Sequence, residues 1–102
     1  MTLMLPAQTA EPYVYVDNRA LVISNGQHGV IFNRTQGRWL AEGLTIIADE
    51  RRATRMLQHR IFGGYVEDGG AVVLFAGTHD DVVSVRLSST AFAALREELG
   101  AG

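Results

Sequence analysis

Asn25-Gly26 stands between Ala20-Leu21-Val22-Ile23-Ser24 and Gly29-Val30-Ile31-Phe32, and that arrangement points to a β-hairpin. A type I′ turn needs positive φ at both central positions, which Asn and Gly adopt at little cost. The flanking runs are β-branched and apolar, too short for independent helices and nearly continuous in hydrophobicity, as strands buried on both faces are. Tyr13-Val14-Tyr15-Val16 before the turn residues Asp17-Asn18-Arg19 adds a preceding strand of the same kind.

The next segment reads two ways. Thr35 to Leu44 could form a helix, but Gly37 and Gly43 would each cost it about 1 kcal/mol. That penalty favours a turn over Asn33 to Gly37 and a fourth strand from Arg38 to about Ala48, bent at Gly43. Asp49 and Glu50 then suit a helix start, giving a helix over about 49–62 that Gly63-Gly64 would stop. Tyr65-Val66, a turn at Glu67-Asp68-Gly69-Gly70 and Ala71-Val72-Val73-Leu74-Phe75 form a second hairpin. Val82 to Leu87 is a further strand with Ser84 and Arg86 on a solvated face. Ser88 or Ser89 caps a last helix over about 89–99, burying Phe92, Leu95 and Leu99 at helical spacing. The expected fold is therefore α+β: one domain, a mainly antiparallel sheet of six to seven strands and two helices, in the order ββββα-βββα. Residues 1–12, with Pro6 and Pro12, read as a flexible arm, 13–99 as the domain and 100–102 as a disordered tail.

The chain has 102 residues and 47% hydrophobic content, enough to bury about 65% of its unfolded surface in one core. Cysteine is absent, which removes disulfides, thiol catalysis and thiolate metal sites. Met1-Thr2-Leu3-Met4-Leu5 has no basic start and ends at Pro6, unlike a secretory signal. No apolar run approaches the roughly 18 residues of a membrane helix. A soluble, cytoplasmic protein is expected.

With a net charge of −2, anion binding would have to come from a local patch. All nine basic residues are arginine, through codon bias in a GC-rich genome or because bidentate guanidinium forks are wanted. Four arginines fall between residues 51 and 60. On a helix, Arg51, Arg52, Arg55 and His59 would share about one third of the circumference, with Ala53, Leu57 and Ile61 opposite. This stripe is the candidate partner or nucleic-acid contact, with Arg34 and Arg38 on the neighbouring hairpin and Trp39 beside them. Tyr13, Tyr15, Trp39 and Tyr65 would stack bases if they face outward. The plainer readings are a solvated helix face, partly neutralised by Asp49 and Glu50, and a Trp39 in the core.

Catalysis finds less footing. His79-Asp80-Asp81 is the one place where an imidazole adjoins two carboxylates, and a metal or acid–base site there would need His28 or His59 to converge on it. A solvated turn between two strands accounts for it and is the preferred reading. Ser88-Ser89-Thr90 is accounted for by capping, and no glycine pattern matches a phosphate loop or dinucleotide fingerprint. No catalytic residue, metal ligand or cofactor is assigned, and the reading leans away from an enzyme.

Two short helices cover one face of a seven-stranded sheet, so a second copy is expected to cover what remains. The order of elements resembles the PUR and Whirly group of single-strand-binding proteins and the coactivators related to it. Val83-Ser84-Val85-Arg86-Leu87-Ser88 running into Phe92 and Leu95 is similar to their strand-to-helix junction. Gly29-Val30 with Gly37-Arg38-Trp39-Leu40-Ala41-Glu42 resembles the hairpin of apetala-type plant DNA-binding domains. Both groups are commonly lysine-rich and basic, and this chain is neither, so the resemblance assigns no family. The function expected is a small non-catalytic binding or regulatory module acting through protein–protein contacts as a homodimer. The alternative is nucleic-acid binding through the arginine-rich helix face and adjacent hairpin.

Overall fold

A computed structural model describes residues 12–17, 20–78 and 80–100. β1 (Tyr13–Asp17), β2 (Ala20–Ser24) and β3 (Gly29–Phe32) form a three-stranded sheet in the order β1-β2-β3. A 3-10 turn at Arg34–Gln36 leads into α1 (Gly37–Glu50). β4 (Arg52–Leu57), β5 (Arg60–Val66), β6 (Val72–Gly77) and β7 (Val82–Leu87) then form a four-stranded meander, and α2 (Ser89–Glu98) follows. Every strand pairing is antiparallel. The α+β class, the seven strands and the two helices match expectation. The arm expected over 1–12 lies outside the described residues as far as Glu11, as do His79 and, of the tail, residues 101–102.

The first hairpin forms where the sequence places it, one residue out of phase. Asn25 N–H donates to the His28 carbonyl at 3.0 Å, which makes Gly26 and Gln27 the central pair. Only Gly26 has positive φ, at 98°, the II′ pattern. The Asn25 side chain instead accepts from Gln27 N at 2.9 Å and His28 N at 2.8 Å, an Asx-turn arrangement.

Between residues 33 and 66 the expectation is overturned: the fourth strand at 38–48 is α1, and the helix at 49–62 is the β4–β5 hairpin. Asn33 supplies the start signal. Its side chain accepts from Thr35 N at 3.1 Å, and its own N–H donates to Gln36 Oε1 at 3.1 Å, a capping box that satisfies two orphan donors. Gly37, Leu40, Gly43, Leu44 and Ile47 are buried on one helix face. A Cβ on Gly43 would meet the Phe62 ring at 3.2 Å and Arg55 Cδ at 3.4 Å, so this glycine lets α1 approach the sheet closely. That packing outweighs the propensity penalty, since tertiary contacts supply most helix stability. Asp49 and Glu50 end the helix rather than begin it, and Arg51 closes it in the left-handed region at φ 70°.

Gly63-Gly64 is not a helix stop but mid-strand in β5. A Cβ on Gly63 would run into the Phe75 ring at 2.7 Å, and one on Gly64 would meet Leu74 Cδ2 at 2.9 Å and Ile47 Cδ1 at 3.1 Å. Each face of β5 thus gives way to a large neighbour. Further along, the turn at Glu67 to Gly70 closes through Gly70 N to Glu67 O at 2.9 Å, and Ser88 caps α2 through Ala91 N at 3.1 Å, both as expected.

The core joins Leu21, Ile23 and Phe32 of the first sheet, Leu40, Leu44 and Ile47 of α1, Phe62, Leu74 and Val85 of the second sheet, and Phe92 and Leu95 of α2. Strand alternation then fixes the second sheet's two faces. The inner face carries Arg55, Phe62, Leu74 and Val85, and the outer face carries Arg52, Met56, Tyr65, Phe75, Val82 and Arg86. The buried residues of both helices belong to the core on the inner side.

Candidate functional site

The arginine stripe does not exist as a stripe. Arg52 and Arg55 lie three apart on β4, so their side chains leave opposite faces of the sheet. Arg52 is exposed on the outer face, across from Tyr65. Arg55 turns inward: its Nη1 donates to the Trp39 carbonyl at 2.6 Å, its guanidinium carbon stands 5.1 Å from the Trp39 ring centre, and Nη2 lies 3.6 Å from Glu42 Oε1. Arg51 is the exposed residue capping α1, and His59 is exposed in the β4–β5 turn. Arg34 and Arg38 are exposed on the 3-10 turn and the first turn of α1.

Trp39 is half-buried and packs against the core, its ring 6.1 Å from both Phe32 and Phe62. It packs at the rim of the core, beneath the Arg55 guanidinium. Arg60, which the sequence reading left unassigned, closes the same cluster from the other side. Its guanidinium lies 4.1 Å from the Phe32 ring centre and donates to the Ile31 carbonyl. Burial against this apolar cluster pushes its pKa below the ordinary arginine value. Arg55 and Arg60 are therefore clamps that tie β4 and β5 to α1 and β3.

Arg38 and Arg55 do share one feature, an open groove of about 500 Å³ beside α1, also lined by Ala41, Glu42, Thr45 and Ile46. Glu42 already answers Arg55 there. At the far end of the sheet His59 and Asp80 line a hollow of about 260 Å³ with Met56, Gln58, Ile61 and Thr78. Asp80 and Asp81 are exposed in a tight turn in which Thr78 N donates to Asp81 O at 3.0 Å. Among the described residues no three His, Asp or Glu side chains come close enough to hold a metal ion.

What the fold leaves open is the outer face of the β4–β7 sheet. Met56 is 60% exposed, Tyr65 44% and Val82 47%, Met56 and Val82 at one end of the face and Tyr65 at the other. Phe75 lies half-buried over Gly63 between them. No outward position of these four strands is an aspartate or glutamate, whereas Arg52 and Arg86 stand at opposite edge strands. Arg86 is paired with Glu67, in the turn beyond β5, at 2.8 Å. Of the contact residues proposed from the sequence, this face gathers only Arg52 and Tyr65, and with them stand Ser84 and Arg86, which the sequence placed on a solvated face. Arg52 to Leu57 alternate in burial but not in hydropathy, because Arg55 points inward and Met56 outward, so no period-2 pattern in the sequence marks this face.

No protein-family model and no curated protein sequence matches this chain. Among solved structures it is similar to one described as crystal structures of Trypanosoma bruciei MRP1/MRP2, with a TM-score of 0.53 and 9% sequence identity over 86% of this chain and 69% of that one. At that identity the likeness is one of fold.

Proposed function

We propose that this chain is a small, non-catalytic, cytoplasmic binding module that acts through protein–protein contacts and works as a homodimer. The observation that carries the protein–protein reading is the open outer face of the β4–β7 sheet, where Met56, Tyr65 and Val82 stay exposed while both helices contribute to the core on the other side. Membrane insertion is not part of it, and no helix among the described residues is long and apolar enough to cross a membrane. The test is size-exclusion chromatography with light scattering. A mass above 11.1 kDa at micromolar concentration supports the homodimer, and a monomer at every accessible concentration overturns it.

The charge pattern of that face favours a second reading. Arg52, with no carboxylate opposite it, beside Tyr65 and Phe75, and Arg86, which is shared with Glu67 at 2.8 Å, suit a single-stranded nucleic acid, with bases on the aromatics and phosphates at the arginines. The route differs from the helix face expected from the sequence, because Arg52 and Arg55 point apart. Fluorescence anisotropy with labelled single-stranded DNA, single-stranded RNA and duplex DNA tests it. Affinity that falls steeply with salt supports this reading, and no binding at low salt ends it.

A further inference from the structure

We infer that two copies of this chain join along β7, antiparallel about a two-fold axis at Ser84, so that two four-stranded sheets become one continuous sheet. The inference rests on the homodimer proposed above and names its seam. It begins with the hydrogen-bond parity of the meander. Glu67 N donates to Ala71 O at 2.8 Å, which makes the odd-numbered residues of β5 and β6 the hydrogen-bonded pairs of that ladder. The even-numbered residues of β6 therefore bond to Val83, Val85 and Leu87. The backbone N–H and C=O groups of Val82, Ser84 and Arg86 point away from the sheet, and among the described residues no other strand pairs with them.

The two sheets have four edges, and β7 is the one least defended against pairing. β3 has only 4 residues, and its Ile31 carbonyl already accepts from Arg60. β1 follows directly on Pro12. β4 opens on Arg51 in the left-handed region, carries Arg52 at its edge and aims Arg55 inward. Short strands, proline and inward or edge charges are the devices by which sheets resist edge pairing. β7 has 6 residues and reads Val82-Val83-Ser84-Val85 before its first charge, Arg86, which Glu67 neutralises at 2.8 Å. Val83 and Val85 are buried at 3% and 4%, so the strand is held from within, close to β2 of the first sheet, while among the described residues no strand hydrogen-bonds to its outward edge.

A second copy suits this edge by its register. About a two-fold at Ser84, Val82 lies opposite the partner's Arg86 and Ser84 opposite the partner's Ser84. No like charges meet, the apolar Val82 side chain rests on an arginine stem, and each Arg86 keeps its Glu67. Because Val82, Ser84 and Arg86 all project on the outer face, pairing also merges the two open faces into one surface.

Substitutions at positions of equal parity on the two edges test the seam. Ser84→Pro removes an N–H that the β6–β7 ladder does not use, a position where an edge strand tolerates proline. Thr54→Pro does the same on β4. With the fold checked by circular dichroism, the expected result is a dimeric wild type, an 11.1 kDa monomer for Ser84→Pro, and an unchanged dimer for Thr54→Pro. Ser84→Cys supplies a readout that does not depend on proline being accommodated. The chain has no other cysteine, and facing residues of a hydrogen-bonded antiparallel pair lie about 5.5 Å apart at Cα, within disulfide range. Mild oxidation should therefore give a covalent dimer from Ser84→Cys and none from Thr54→Cys. A dimeric wild type whose Ser84→Pro variant stays dimeric, or whose Ser84→Cys variant does not cross-link, overturns the seam and leaves the homodimer standing. A monomeric wild type overturns both.

Discussion

Arg55 spans the sheet and the helix through Trp39: its Nη1 holds the Trp39 carbonyl at 2.6 Å while its guanidinium carbon lies 5.1 Å from the same residue's ring centre. Arg55→Ala removes a charged hydrogen bond and a cation–π contact together, so it should cost about 2 kcal/mol of stability. Arg52→Ala, on the opposite face, should change stability by no more than about 0.5 kcal/mol. Urea unfolding of the two variants measures the difference. Equal effects would mean that Arg55 is as solvated as its neighbour.

The β5 glycines give a second contrast. Gly63→Ala drives a methyl into the Phe75 ring and the Ala53 carbonyl, and one of those contacts involves backbone. Such overpacking is expected to cost about 2–3 kcal/mol. Gly69, in the β5–β6 turn, has nothing within 4 Å of an added Cβ, and Gly69→Ala should be nearly neutral. Thermal unfolding of the pair tests it, and a neutral Gly63→Ala would show that Phe75 can swing aside.

What was legible in the sequence was what rests on local signals. The hairpin at Asn25-Gly26, the turn at Glu67 to Gly70 and the Ser88 cap each depend on one or two residues whose backbone or side-chain chemistry acts at short range. The exchange of helix and strand between residues 33 and 66 had a different cause. Gly37 and Gly43 carry a real propensity cost, but Gly43 lies against Phe62 and Arg55, residues distant in sequence, and no local rule values that contact. The capping box Asn33 to Gln36 and the buried spacing Leu40, Leu44, Ile47 were present in the sequence and favoured the helix. Likewise, arginines three apart share a face on a helix and oppose each other on a strand, so one wrong assignment of secondary structure dispersed the candidate site.

That capping box has its own expected signature. Asn33→Ala leaves the Thr35 N–H without its acceptor and should cost about 1 kcal/mol, with the loss appearing in amide exchange at the start of α1. Protection unchanged over residues 36–40 would mean that burial of Leu40 and Leu44 alone fixes the helix start.

The open face separates the two readings of function. Tyr65→Ala removes a 44% exposed ring and should leave stability within about 0.5 kcal/mol. If single strands bind there, it removes a stacking platform worth about 1–3 kcal/mol per base, an affinity loss of roughly tenfold or more. Arg52→Glu should weaken the same binding and flatten its dependence on salt, because a phosphate contact releases a counterion. Anisotropy titrations at several salt concentrations report both effects. Loss of affinity with Tyr65→Ala and a flatter slope with Arg52→Glu would place the nucleic acid on the β4–β7 face. Binding insensitive to both would move it elsewhere on the molecule. If the wild type does not bind at low salt, what remains for that face is the protein–protein reading.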